Sequence, residues 1–166
     1  MGSKVTVIRH PRENLKKCSL RHLHGRADFE FFKATENFLF DAGGFILLEI
    51  GAPPITPADG GKPILLLDST WRLLPSIRAK VRGDFIPRSI PQSVRTAYPR
   101  VSKVFSDPDG LATIEALYAA LKFSGSPAPT VLKGYPFAKK FIEINGWLSD
   151  IPSADFFDES ESVFCD

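Results

Sequence analysis

The stretch ILLLDSTWRLLP, residues 64–75, decides how this chain is read. Its first four residues are aliphatic without alternation, and the Gly- and Pro-rich loop GAPPITPADGGKP (51–63) precedes them. A short run that is apolar on both faces reads as a strand covered on two sides. Asp68, Ser69 and Thr70 then arrive together, followed by Trp71. A carboxylate and two hydroxyls at the end of a core strand need a purpose, either capping a helix or facing a ligand. FILLEI (45–50) is a second run of the same kind. Two such runs predict central strands of a mostly parallel sheet flanked by helices, an α/β fold. In open sheets of this class, ligands sit beyond the carboxyl ends of the strands, which is where Asp68 falls.

Working outward, KVTVIRH (4–10) alternates and predicts a first strand with a basic exit. Residues 11–26 are polar and basic, a short helix or a surface loop. Phe29, Phe32, Phe38 and Leu39 recur at roughly helical spacing and predict a helix over 27–40, broken by DAGG. TWRLLPSIRAKV (70–81) suggests a short helix limited by Pro75. Residues 82–110 are interrupted by prolines and are read as irregular, with short strands near 101–105; so long an irregular segment is usually functional. Leu111, Ile114, Leu117 and Leu121 form one stripe ended by Gly125, the clearest helix in the chain. A further helix is predicted in the second half of 128–150, where Phe137, Phe141, Ile144 and Leu148 recur.

A length of 166 residues with 43% apolar content suits one globular domain with a sizeable core. The net charge of +2 conceals a strong segregation. Residues 1–26 carry Lys4, Arg9, Arg12, Lys16, Lys17, Arg21 and Arg26 against Glu13 alone. Residues 72–103 carry Arg72, Arg78, Lys80, Arg82, Arg88, Arg95, Arg100 and Lys103 against Asp84 alone. From Ser149 onward every charge is negative. Two basic segments that meet in space would attract a polyanion, nucleic acid first; otherwise they are solvated faces. Cys18 and Cys165 are distant and lack metal-ligand spacing, so no metal site and a reducing, cytoplasmic setting are expected. No apolar run is long enough to span a membrane, and no secretory h-region opens the chain.

Five segments resemble, in order, one enzyme family. LDSTW (67–71) resembles the D-x-[ST]-W signature of the DTW-type aminocarboxypropyltransferases, which comprise tRNA-uridine enzymes and small-subunit rRNA enzymes. KKCSLRHL (16–23) is similar to the K-x-C-[ST] segment of the rRNA branch, and ITPAD (55–59) to its L-S-P-A-D loop. LATIEALYAAL (111–121) resembles the helix start shared by both branches, and GYPFAKKFIEIN (134–145) the W-G-x-x-F-x-x-x-N block of the rRNA branch. The cysteine-rich opening of the tRNA branch is missing, and VRTAYPRVSKVFSDPDG (94–110) matches only loosely the A-A-N-P-V-N-Y stretch of the rRNA branch. These departures bear on the RNA target rather than on the reaction.

The resemblance implies a SPOUT-like fold with a C-terminal trefoil knot. It implies one domain over 1–150, with a basic part at 1–44, a donor-binding part at 45–150, and an acidic tail at 151–166. It also implies transfer of the 3-amino-3-carboxypropyl group of S-adenosylmethionine to a pyrimidine ring nitrogen of RNA, rRNA before tRNA, without a metal and by a monomer. A SPOUT-type RNA methyltransferase and a non-catalytic RNA- or ribosome-binding factor are the competing readings. On this pattern Asp68 holds the donor's amino group, offsets the sulfonium or takes the acceptor's proton; its structural alternative is an N-cap. Ser19, Trp71, Leu111, Ala112 and Thr113 match donor-binding positions, Trp71 through apolar and cation–π contact; a cap and a core tryptophan are the alternatives for Ser19 and Trp71. Glu115 suits the first turn of its helix as a cap. Arg9, Arg12, Lys16, Lys17, Arg21, Arg78, Lys80, Arg82 and Arg88 are the expected phosphate contacts. His10, His22 and His24 are read as solvated or as RNA contacts.

Overall fold

Strands β1 (Val5–Arg9), β2 (Phe29–Lys33), β4 (Ile46–Leu48), β5 (Ile64–Asp68) and β7 (Ile86–Arg88) form one sheet in the order β2-β1-β5-β4-β7. Every neighbouring pair is parallel. The short strands β3 (Phe40–Asp41) and β6 (Val81–Arg82) pair separately, also in parallel. The helices are α1 (Leu74–Arg78), α2 (Thr113–Phe123) and α3 (Ala138–Ile144). This computed structural model describes residues 4–12, 19–99, 110–126 and 131–150.

The two-residue period of the strands sorts the core into two layers. Val5, Val7, Ile46, Ile64 and Leu66 face Ile114, Leu117, Tyr118 and Leu121 of α2 and Phe141 of α3. Ile8, Leu47 and Leu65 face the other way, onto Ile77 of α1, Val81 of β6, Ala34 and Ala42. The unalternating runs at 45–50 and 64–68 thus have the cause inferred for them: both faces are covered. Fully burying each of these aliphatic side chains contributes about 1.5–3 kcal/mol.

The helix expected at 27–40 is not formed. FEFFK becomes β2, with Phe29 opposite Val5 and Lys33 opposite Arg9. A turn follows, closed by Phe38 N–H on the Thr35 carbonyl, and then β3. Phenylalanines carry strand propensity, and parallel pairing on β1 outweighs a loose helical spacing. Phe29 and Phe31 go to one layer, while Phe32 packs with Phe38 and Phe40 at centroid distances of 5.7 and 5.9 Å in the other.

The segment 82–110, read as irregular, supplies β7 at one edge of the sheet; its expected strands near 101–105 lie outside the described residues. Pro75 does not stop a helix but stands at the start of α1, where its missing N–H costs nothing. Helix α2 begins at Thr113, two residues into the predicted span, and α3 lies in the second half of 128–150 as expected. The acidic tail at 151–166 lies outside the described residues.

Candidate functional site

Strands β1 and β5 end side by side on residues of opposite charge. Arg9 and Asp68 are register partners. They share the side-chain parity of Val7 and Leu66, so both point to the layer that holds α2. Arg9 Nε lies 3.4 Å from Asp68 Oδ2, and each residue is only 6% exposed. Removing two charges from water is tolerable only with pairing and added hydrogen bonds. Thr113, the first residue of α2, donates its hydroxyl to Asp68 Oδ1 at 3.0 Å. Ser19 Oγ accepts the Ile114 N–H of the same turn at 3.3 Å. Three positions from distant segments, Ser19, Asp68 and Thr113, therefore converge on the N-terminal turn of one helix, whose dipole favours negative charge.

The reach of α2 is set by Glu115, which has no exposure at all. Its carboxylate accepts the Ala112 N–H at 2.9 Å, capping the helix from within. It also accepts the Thr96 hydroxyl at 2.6 Å, the Ala97 N–H at 2.8 Å and the Tyr135 hydroxyl at 3.1 Å. Asn145 clamps the same loop, exchanging two 2.8 Å hydrogen bonds with the Arg95 backbone. The LATIEA and FIEIN segments thus meet on one strap, residues 95–97. The ITPAD loop is built likewise: buried Asp59 accepts the Thr56 N–H at 2.9 Å and pairs with Arg88 at 3.0 Å. Burial raises the Asp59 pKa, but the Thr56 hydrogen bond and Arg88 outweigh it and hold the carboxyl below its ordinary value.

Beyond the carboxyl ends of β4 and β7 lies a cleft of about 370 Å³, within the usual range for a small-molecule site. Residues 48–52 form one wall, residues 89–92 and Val94 another, and Gly110, Leu111 and Ala116 the third. Leu111 faces this cleft and Thr113, two residues on, bonds Asp68, so one loop joins the cleft to the charged pair. Trp71 is 52% exposed, on the turn that follows Asp68. Ala112 is half-buried. Among the described residues no three His, Cys, Asp or Glu side chains gather as metal ligands would.

The expected phosphate contacts do not form one group. Arg9 is buried against Asp68, with its guanidinium 5.4 Å from the Phe31 ring centre. Arg88 is committed to Asp59. Arg78 pairs with Glu49 at 2.9 Å and lies over Phe85. Lys80 donates to the Glu36 carbonyl, and Arg82 to the Ala79 and Val81 carbonyls. These last three belong to the α1 side of the sheet. Arg12 and Arg21 are exposed and come from the segment between β1 and β2, whose Leu20 and Leu23 pack in the α2 layer. Lys16 and Lys17 lie outside the described residues.

Two further features escape a linear reading. His24 stacks on Phe31 of β2, with centroids 3.8 Å apart and planes 16° from parallel. Burial and the nearby Arg9 lower its pKa against the opposing pull of Asp68. The cleft walls were not legible as a site: residues 48–50 end a run read as a strand, and 51–52 and 89–94 lie in segments read as loop or irregular chain. Arg9 becomes visible once β1 is placed beside β5: it ends a strand whose neighbour ends on Asp68.

No family model matches the chain, and no curated protein matches it significantly. Among solved structures the chain is similar to the SAM-dependent rRNA:acp-transferase Tsr3 from Vulcanisaeta distributa. The two are 27% identical, the match covers 97% of this chain and 89% of that one, and the TM-score is 0.67. The likeness runs through nearly the whole of both chains, so it takes in the parallel sheet and not merely a shared motif.

Proposed function

We propose that this chain is an S-adenosylmethionine-dependent enzyme that transfers the 3-amino-3-carboxypropyl group to a pyrimidine ring nitrogen of rRNA. The observation that carries this reading is the placement of Asp68. It is held between Arg9 and Thr113 at the carboxyl end of β5, in a fold like that of a solved rRNA:acp-transferase.

The residues present suit such a donor. The cleft offers apolar walls from Leu48, Ile50, Ile90, Val94 and Leu111, with loop backbone between them, which fits an adenosine. The first turn of α2 suits a carboxylate, and Asp68 suits an ammonium or sulfonium. When bound, the donor supplies a carbon made electrophilic by its sulfonium. The chain's own work is to align that carbon with the acceptor nitrogen and exclude water. Asp68, Ser19 and Thr113 orient the amino-acid end. Leu111 and Ala112 hold the adenosine, and Trp71 walls in the methyl group. Arg9 belongs with Asp68 as a positioning residue, and Arg12, Lys16, Lys17 and Arg21 serve phosphate contact.

The same reading assigns the chain to the DTW-type, SPOUT-like family with a C-terminal trefoil knot. Its support is the convergence on one cleft of the loops after β4, after β7 and before α2. It takes residues 1–150 as one domain, acting as a cytoplasmic monomer.

Donor labelled separately in the methyl and in the aminocarboxypropyl carbons tests the function. Incubation with rRNA and tRNA should put only the second label into rRNA. Methyl label alone in RNA would make the chain a methyltransferase. Label in tRNA alone would move the target, and RNA binding without either transfer would make it a binding factor.

A further inference from the structure

We propose that His24 is the proton acceptor for the target base, an inference that rests on the transferase reading above. The acceptor nitrogen carries a proton that must leave as the new bond forms. Asp68 is the obvious recipient by position, but both of its oxygens are engaged, Oδ2 with Arg9 and Oδ1 with the Thr113 hydroxyl. Its arrangement is that of an anchor.

His24 has the opposite character. Its ring is held flat on Phe31 at 3.8 Å, a fixed orientation for a side chain that is otherwise exposed. Phe31, at the middle of β2, lies 5.4 Å from the Arg9 guanidinium, and Arg9 reaches Asp68 at 3.4 Å, so one chain of contacts runs from the imidazole through Phe31 and Arg9 to the carboxyl end of β5. Among the described residues neither ring nitrogen of His24 has a hydrogen-bond partner. The other two histidines are engaged: His22 Nε2 bonds the Val131 carbonyl and His10 Nδ1 accepts the Arg12 N–H. The groups facing His24 are the Phe31 ring, the Arg9 cation and the Asp68 carboxylate. Burial and Arg9 disfavour the imidazolium more than Asp68 favours it, so the resting ring is neutral and able to accept a proton.

The step balances. The pyrimidine N–H proton moves to His24, and the nitrogen pair forms the N–C bond as the C–S bond breaks. Sulfur keeps the bonding pair and leaves as neutral methylthioadenosine. The positive charge of the sulfonium reappears on the imidazolium, beside Asp68, and the proton is then lost to water.

The test compares wild type with His24→Phe, which keeps a ring to stack on Phe31 but has no nitrogen. Single-turnover transfer of the aminocarboxypropyl label to rRNA is followed from about pH 5 to 9. Donor affinity is measured by calorimetry, and the His24 ring is titrated by NMR in wild type and Asp68→Asn. The expected result is unchanged donor affinity and a loss of about 10²–10⁴-fold in transfer at neutral pH. The acid limb of the wild-type profile should vanish in the variant. The His24 ring should titrate below 6.5, and lower still in Asp68→Asn. Wild-type transfer with the same acid limb in His24→Phe would overturn the assignment, as would a His24 ring that titrates at or above its ordinary value. A wild-type protein that puts no aminocarboxypropyl label into RNA overturns the transferase reading itself, an outcome seen before any variant is compared.

Discussion

Arg9 and Asp68 are opposed in the parallel β1–β5 pair, and their side chains meet at 3.4 Å in nearly complete burial. Each makes the other tolerable. Removing one partner of a buried pair leaves an uncompensated charge and costs about 3–5 kcal/mol. Arg9→Met should therefore lower unfolding free energy by roughly 3 kcal/mol in urea titrations. Asp68→Asn should cost less, because the amide oxygen can still accept from Thr113, yet it should abolish measurable transfer. A stable, fully active Asp68→Asn protein would move Asp68 to a purely structural role.

Glu115 ties together Ala112, Thr96, Ala97 and Tyr135. Glu115→Ala takes one acceptor from four donors, at about 1–3 kcal/mol for each that stays buried without a replacement. We expect a loss of at least about 3 kcal/mol and a weakened donor affinity, since the loop at 110–113 borders the cleft. Calorimetric donor binding in a temperature range where the variant remains folded separates the two effects.

Asp59 supplies a pH dependence of known sign. Its folded pKa lies below the ordinary 3.8, so folding favours the ionised form. That stability is complete above the unfolded value and is lost as pH falls through the folded one. Asp59→Asn should be less stable than wild type at neutral pH by about 1–3 kcal/mol. The gap should narrow as the pH is taken below 3.8, followed as urea midpoints of both proteins.

Gly134 sits at a φ of 93°, and a Cβ there would lie 3.1 Å from His22 Cβ and Cγ. The carbonyl of Val131, three residues earlier, accepts from His22 Nε2 at 3.0 Å. Gly134→Ala combines a left-handed backbone penalty of about 1–2 kcal/mol with this contact. A fall in melting temperature is expected, and a partial rescue by His22→Ala would show that the two residues press on each other.

Association with rRNA should weaken steeply with added salt, because Arg12 and Arg21 are exposed and flank Lys16 and Lys17 in sequence. Charge reversal at Arg12 should flatten that slope more than reversal at Arg78, which already pairs with Glu49. A binding constant indifferent to salt would speak for a small-molecule acceptor.

Much of this molecule was written in local pattern. The runs at 45–50 and 64–68 announced buried parallel strands because a strand covered on both faces has no polar side to show. The stripe from Leu111 to Leu121 announced α2, and Asp68 was marked by its place at a strand end. The Phe-rich stretch misled because Phe29, Phe32 and Phe38 fit a loose helical spacing while Phe29 and Phe31 fit the strand period, and only the pairing with β1 chose between them. What the linear chain could not decide was partnership. Arg9 read as a surface cation until strand order placed it opposite Asp68, and Glu115 read as a cap until the fold brought Thr96, Ala97 and Tyr135 to its carboxylate. His24 read as one more residue of a basic loop until the fold stacked its ring on Phe31, which in turn packs against Arg9. Burial and periodicity are properties of a segment and survive in its sequence; the pairing of charges across separate segments exists only once the sheet has set their register.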